Sequence, residues 1–349
     1  MLWDIFCRVI DNHGDLGVCW RLSANLAARG HRIRLWVDDA SALSWMAPEA
    51  NPQVEVRPWD ASLSMTSEAS DVWVEAFGCE LPEHFLGWCH EALKQQPLGK
   101  APVWLNLEYL SAEPYVERSH RLPSPVMSGP LKGQTKWFFY PGFTEKTGGL
   151  IREASVNEAC QSHSTKPLAP AYPLNTSLFC YEPEALLEAM QLVSLNQAGH
   201  VWQLAHGRGA LAFDKALEAL PASTVKPNFQ KIRPLPQTQF DELLNSCDLN
   251  FVRGEDSLVR ALWTGKALVW HIYPQDDGAH AAKLHAFLDW LEAPESLRQF
   301  HLRWNGLSDL PLPEVDLLTW QPCVQAARQR LMNQPDLVTQ LLQFVAEKG

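Results

Sequence analysis

No stretch of this 349-residue chain approaches a run of roughly 18 or more uncharged apolar residues, so the sequence offers no candidate for a spanning helix. The amino terminus, Met1-Leu2-Trp3-Asp4-Ile5-Phe6-Cys7-Arg8, has no basic segment ahead of a long apolar one. No secretory signal is expected there, and the chain reads as cytoplasmic with no membrane partner. Basic charge is scarce: 29 lysines and arginines face 40 acidic residues, a net charge of -11 that would repel a phosphate backbone at long range. No nucleic-acid partner is expected. The eight cysteines contain no CxxC pair and the twelve histidines no HExxH pattern, so no metal centre is expected and the thiols read as buried and free.

What is present is a repeated α/β alternation. Trp3 to Ile10 reads as a strand, a loop holds Gly14 and Gly17, Val18 to Ala28 has helical spacing, and Arg32 to Val37 supplies the next strand. This βαβ opening implies a parallel sheet, and apolar runs at 54–56, 71–76, 102–107 and 136–140 extend it. Residues between Cys160 and Ser177 carry three prolines and no apolar periodicity, which is linker composition. A second alternation follows, with strands at 177–181, 201–205, 249–252 and 267–272 and helices at 184–192, 213–220, 240–245, 257–263 and 280–291. Residues 324–346 read as one amphipathic helix. The expected organisation is therefore one α/β domain over 1–165 and a second over 166–323, followed by the terminal helix. Two such domains would form a cleft at the carboxyl ends of their strands, where open α/β sheets bind ligands.

Three strand-end loops carry candidate chemistry. Asp11-Asn12-His13-Gly14-Asp15-Leu16-Gly17 follows the first strand and lacks a GxGxxG fingerprint, which argues against a dinucleotide on this loop. Its two carboxylates suit proton transfer, because neighbouring negative charge raises the pKa of one of them; the alternative is that Asp11 or Asp15 caps the following helix. Arg253-Gly254-Glu255-Asp256-Ser257 ends another strand. Gly254 permits a tight turn, Asp256 or Ser257 can cap, and first-turn amides with Arg253 beside them form a seat for a diphosphate. Glu255, repelled by phosphate, would face another group. In Trp270 to His280, Asp276 and Asp277 are metal ligands or, more simply, a solvated turn. Tyr181 and Phe240 could stack on a base or belong to the core.

Taken together, the segments Trp3 to Leu22, Cys247 to Ser257 and Trp270 to His280 resemble the signatures of the EarP family, the protein-arginine rhamnosyltransferases acting on elongation factor P. The resemblance implies a GT-B fold of two facing Rossmann-like domains, with the terminal helix, within 324–349, packing back on the first, and an inverting transfer of L-rhamnose from dTDP-β-L-rhamnose to an arginine side-chain nitrogen, with elongation factor P as protein partner and no metal or other cofactor. It places the general base on Asp15, its essential neighbour on Asp11 and a third catalytic carboxylate on Glu255. It places donor contacts on Arg253, Asp256 and Ser257 near the diphosphate, on Gln237 and Phe240 around the thymidine, and on Tyr181. A glycosyltransferase acting on a small-molecule or lipid-linked acceptor is the alternative reading.

Overall fold

The computed structural model describes residues 1–9, 14–64, 67–95, 101–154, 156, 174–275 and 278–349. They divide into two compact units, Met1–Ala154 with Gln334–Gly349, and Ser155–Asn333. Among the described residues no helix is long and apolar enough to cross a membrane.

The first unit opens with β1 (Leu2–Cys7), α1 (Gly14–Ala28) and β2 (Arg32–Val37). It continues through α2 (Leu43–Met46), β3 (Val54–Pro58), β4 (Val72–Ala76), α3 (Glu83–Gln95), β5 (Val103–Leu107), α4 (Pro114–Ser119), β6 (Pro123–Pro125) and β7 (Thr135–Phe139). The sheet order is β3-β2-β1-β4-β5-β7-β6, parallel except for the antiparallel pairing of β6 with β7. Every residue of β1 is buried, as a central strand covered on both faces requires. One face meets Leu16, Cys19, Leu22 and Leu26 of α1, whose spacing gives the helix its apolar stripe. The other carries Phe6, Trp36, Trp73 and Trp104 against Phe85 and Trp88 of α3.

Within that aromatic layer Asp4 is fully buried. Both its oxygens accept from the Arg34 guanidinium, at 2.6 and 2.5 Å, and it also accepts from Trp36 Nε1 at 2.7 Å and Ser70 Oγ at 2.5 Å. A buried charge is tolerated only when paired and hydrogen-bonded, and this one is.

The second unit contains β8 (Asn175–Leu178), α5 (Leu186–Ala189), β9 (Val201–Leu204), α6 (Arg208–Ala219), β10 (Asn228–Lys231) and α7 (Gln237–Ser246). Then come β11 (Leu249–Arg253), α8 (Asp256–Thr264), β12 (Ala267–His271), α9 (Ala279–Leu291), α10 (Glu295–Trp304) and α11 (Leu317–Met332). Its all-parallel sheet has the order β10-β9-β8-β11-β12. In both sheets the strand order therefore reverses beside the unit's first strand, and the loops leaving the carboxyl ends there flank the crevice used for ligands in doubly wound folds.

The single helix expected over 324–346 is two helices. Pro335 cannot continue the first, and Asp336 starts α12 (Leu337–Lys348) by accepting from the Thr339 amide at 3.0 Å. Residues up to Asn333 stay with the second unit, where α11 packs on β12 and α8, while α12 joins the first. There Leu337, Val338, Leu341, Phe344 and Val345 enter the core that holds Ile5. Arg29 fastens the joint through Asp336 at 2.6 Å and Thr339 at 2.7 Å. The linker stretch lies outside the described residues as far as residue 173, and so does Cys160; Cys7, Cys19, Cys79, Cys89, Cys180 and Cys247 are buried free thiols and Cys323 is a half-buried one.

Arg34→Met, which strands the Asp4 charge, is expected to destabilise the protein by about 3–5 kcal/mol in urea titrations. A second expectation concerns acid. Burial pushes His301 down to about 4; its Nε2 accepts from the Trp270 amide at 3.0 Å while Nδ1 donates to the Leu297 carbonyl at 2.9 Å, which fixes the neutral ring. His120 is likewise lowered to about 4 by burial. The unfolded chain takes up these protons near pH 6.5 and the folded one refuses them. Their contribution to stability is thus complete above pH 6.5 and is lost as pH falls towards 4, at up to about 1.4 kcal/mol per pH unit for each ring. Melting temperatures measured across pH 7 to 4 should fall accordingly, and less steeply in His301→Gln.

Candidate active site

In the first unit the loop after β1 leads into α1, which begins at Gly14, earlier than the helical spacing from Val18 suggests. Asp15 is consequently the second residue of the helix and is 8% exposed. It sits inside the first turn and does not occupy the capping position offered above as its alternative role. A carboxylate there meets the positive end of the helix dipole. Asp11 lies outside the described residues, as do Asp276 and Asp277.

The same sheet edge carries polar residues that sequence reasoning missed. Glu75 on β4 is in register with Asn106 on β5. Glu75 is ion-paired to Lys136, whose ammonium lies 4.9 Å from the Trp104 ring centre, and burial pushes its carboxyl above the usual range. Asn106 donates to Glu108 at 2.8 Å, and burial raises the Glu108 carboxyl too. The available signal was a single polar residue interrupting each of two apolar strands.

In the second unit β11 ends at Arg253, Gly254 turns the chain with φ +64°, Glu255 holds the N-cap position, and α8 starts at Asp256. The left-handed turn is the reason for glycine here. The N-cap position falls on Glu255 and not on Asp256 or Ser257, and Glu255 gives no side-chain cap hydrogen bond. Ser257 instead braces the loop, its Oγ accepting from the Arg253 amide at 3.1 Å and donating to the Arg253 carbonyl. Trp270 on β12 secures the turn from below, Nε1 donating to the Gly254 carbonyl at 2.7 Å.

Beside this turn, on the neighbouring strand, β8 runs into Phe179, Cys180 and Tyr181. The Arg253 guanidinium lies 4.5 Å from the Phe179 ring centre and 4.9 Å from that of Tyr181. Phe240 packs edge-on against Phe179 at 5.3 Å, and Gln237, one turn earlier, shares its helix face on α7. Tyr181, Phe240, Arg253, Glu255, Asp256 and Ser257 are thus gathered at one sheet edge around two adjacent strands. Tyr181 is buried and Phe240 half-buried.

Three further residues at this edge were not foreseen. Arg208 lies 5.4 Å from the Tyr181 ring centre and pairs with Glu182 at 2.6 Å, which holds the Glu182 carboxyl below its ordinary value. The segment Gly207-Arg208-Gly209-Ala210-Leu211-Ala212, a GxGxxA pattern opening α6 after β9, was the signal for it. His271 ends β12 and packs edge-on against Tyr181 at 5.2 Å; burial pushes it down to about 3, so the ring is neutral. Lys283 on α9 reaches Glu255 Oε1 at 2.7 Å. Cations over aromatic faces beside a helix amino terminus suit an aromatic base linked to a diphosphate. Among the described residues no three His, Cys, Asp or Glu gather as a metal centre would need.

Comparison with known proteins gives a single answer. The chain matches, over residues 3–346, the family model described as elongation-factor P (EF-P) rhamnosyltransferase EarP. It is 37% identical to the protein-arginine rhamnosyltransferase of Pseudomonas aeruginosa, with 99% of each chain covered. It resembles, at 27% identity, a TM-score of 0.59 and 99% coverage of both chains, a structure solved for the structural basis of EarP-mediated arginine glycosylation of translation elongation factor EF-P. Anabaena HepE in complex with UDP and glucose, at 12% identity, a TM-score of 0.50 and 99% coverage of both, shares the fold alone. The fold is GT-B, with two Rossmann-like units, and the chain belongs to the EarP family of elongation-factor P rhamnosyltransferases.

Proposed function

We propose that this enzyme, acting in the cytoplasm, transfers L-rhamnose from dTDP-β-L-rhamnose to a side-chain nitrogen of one arginine of elongation factor P, with inversion at the anomeric carbon. The observation that carries the reading is the match to the rhamnosyltransferase family over nearly the whole chain, with a cationic, aromatic strand edge to support it.

The chemical difficulty lies in the acceptor. A guanidinium has delocalised lone pairs and a pKa above about 12, so it needs carboxylates to hold it and to take a proton as the bond forms. Asp15, buried in the first turn of α1, is the base in this reading, and Asp11, four residues earlier in the sequence, supplies the second carboxylate. The acceptor nitrogen attacks the anomeric carbon, the bond from that carbon to the diphosphate oxygen breaks, its electron pair leaves with dTDP, and the nitrogen's proton passes to the carboxylate.

The leaving group is served by the second unit. First-turn amides of α8, the Gly254 turn and Arg253 offer hydrogen bonds and positive charge to the departing diphosphate. Asp256 and Ser257 contribute through the same first turn. Phe240, Gln237 and Tyr181 take the thymidine end, with Phe240 and the Phe179 face as its platform. Glu255 faces the sugar as positive charge develops in an oxocarbenium-like transition state. These groups meet the charge demands of the step without any cofactor or metal in the proposal.

Intact-protein mass spectrometry of unmodified elongation factor P incubated with the enzyme and dTDP-rhamnose should show the gain of one deoxyhexose. Asp15→Asn should slow that gain by about 10²–10⁴-fold. No gain on an arginine-bearing elongation factor P, or turnover only with a small-molecule or lipid acceptor, would overturn the reading. Gly254→Ala tests the donor seat. Its Cβ would meet only the Tyr181 hydroxyl, at an ordinary 3.6 Å, so the cost is backbone strain of about 1–2 kcal/mol. The expected result is a lower melting temperature together with weaker dTDP binding by calorimetry.

A further inference from the structure

Glu255 poses an electrostatic problem that the donor reading does not solve. It occupies the N-cap position of the helix whose amino terminus would receive a diphosphate, and two anions placed side by side repel. The helix dipole favours a carboxylate at that position, but turning it away from the diphosphate and towards the sugar calls for a cation on the other side.

The fold supplies one from a separate element. Lys283 lies on α9, and its Nζ is 2.7 Å from Glu255 Oε1, both side chains being 19% exposed. The register that brings it there is set by Trp270. The Trp270 indole donates to the Gly254 carbonyl at 2.7 Å and packs edge-on against Phe287 of α9 at 5.1 Å. Phe287 is fully buried, and Lys283 is one turn before it on the same helix face. One tryptophan therefore fixes both the turn that presents Glu255 and the helix that presents Lys283. An exposed surface pair contributes little; this one is four-fifths covered and is braced on both sides.

We propose that Lys283 is a positioning residue for glycosyl transfer: its ammonium holds the Glu255 carboxylate towards the sugar, where positive charge develops in the transition state. The inference rests on the donor seat described under Proposed function and extends it to α9. Lys283 does not act on the reacting atoms. It acts through Glu255, so its loss falls on the chemical step and spares donor binding.

The test is initial-rate kinetics of elongation factor P rhamnosylation with dTDP-rhamnose as the varied substrate, for wild type, Lys283→Met, Lys283→Arg, Glu255→Gln and the Lys283→Met/Glu255→Gln double variant. Lys283→Met should lower kcat by roughly 10–100-fold with KM for dTDP-rhamnose changed less than about threefold, the pattern of an interaction needed in the transition state. Lys283→Arg should restore most of kcat. The double variant should be no slower than Glu255→Gln alone, because two residues acting as a unit are not additive. Thermal melting of each variant, with Lys283→Gln as a second polar replacement, separates these effects from misfolding. Three outcomes would overturn the proposal: an unchanged kcat in well-folded Lys283→Met, a raised KM at constant kcat, or independent multiplication of the Lys283 and Glu255 effects. A wild-type enzyme inert towards elongation factor P and dTDP-rhamnose would instead remove the donor reading, and this inference with it.

Discussion

The candidate donor site depends on the reversal of strand order between β8 and β11. Because these neighbours belong to opposite halves of the winding, the loops at their carboxyl ends diverge and leave room between them. Tyr181 leaves one strand and Arg253 ends the other, and the cation lies against the aromatic ring only because the strands are hydrogen-bonded neighbours. Ser257 and Trp270 then lock the backbone of the turn, so the side chains of Arg253 and Glu255 project from a rigid base. The first unit repeats the reversal between β1 and β4, and α1 with Asp15 grows from that point.

Global and local charge have separate roles here. A chain with a net charge of -11 nevertheless concentrates Arg208, Arg253 and Lys283 at one sheet edge. Arg208 and Lys283 are paired with Glu182 and Glu255, so the edge is charged without being strongly cationic overall. Such an arrangement favours a compact dianion held by geometry over a long polyanion attracted at a distance. A negative net charge of this kind argues against a long polyanion and is silent on a nucleotide.

Local patterns were legible in the sequence and long-range pairings were not. The strand, glycine turn and helix start at residues 249–257 are contiguous, so sequence alone placed Arg253, Glu255, Asp256 and Ser257 together. The GxGxxA segment at Gly207 is equally local, but it follows β9, the second strand of its sheet, and only the fold brings Arg208 beside Tyr181. Lys283 and His271 could not be found this way, since what places them is the packing of α9 and β12 against a turn many residues earlier. Asp4 belongs to the same class: an aspartate in an apolar strand looks anomalous until Arg34 arrives from the neighbouring strand. The break at Pro335 and Asp336 was written in the sequence, but the apolar periodicity on either side concealed it.

The return of α12 to the first sheet has a consequence for biosynthesis. Phe344 packs edge-on against Trp137 and Phe139, at 5.5 and 5.9 Å, so the core begun by β1 is closed by residues made after the whole of the second unit. The second unit, Ser155–Asn333, has its whole sequence outside the ribosome earlier. Chains generally fold their amino-terminal domain first during synthesis. Here that order is inverted: until α12 has been made, the nascent first unit keeps an apolar face uncovered where Leu341 and Phe344 will sit.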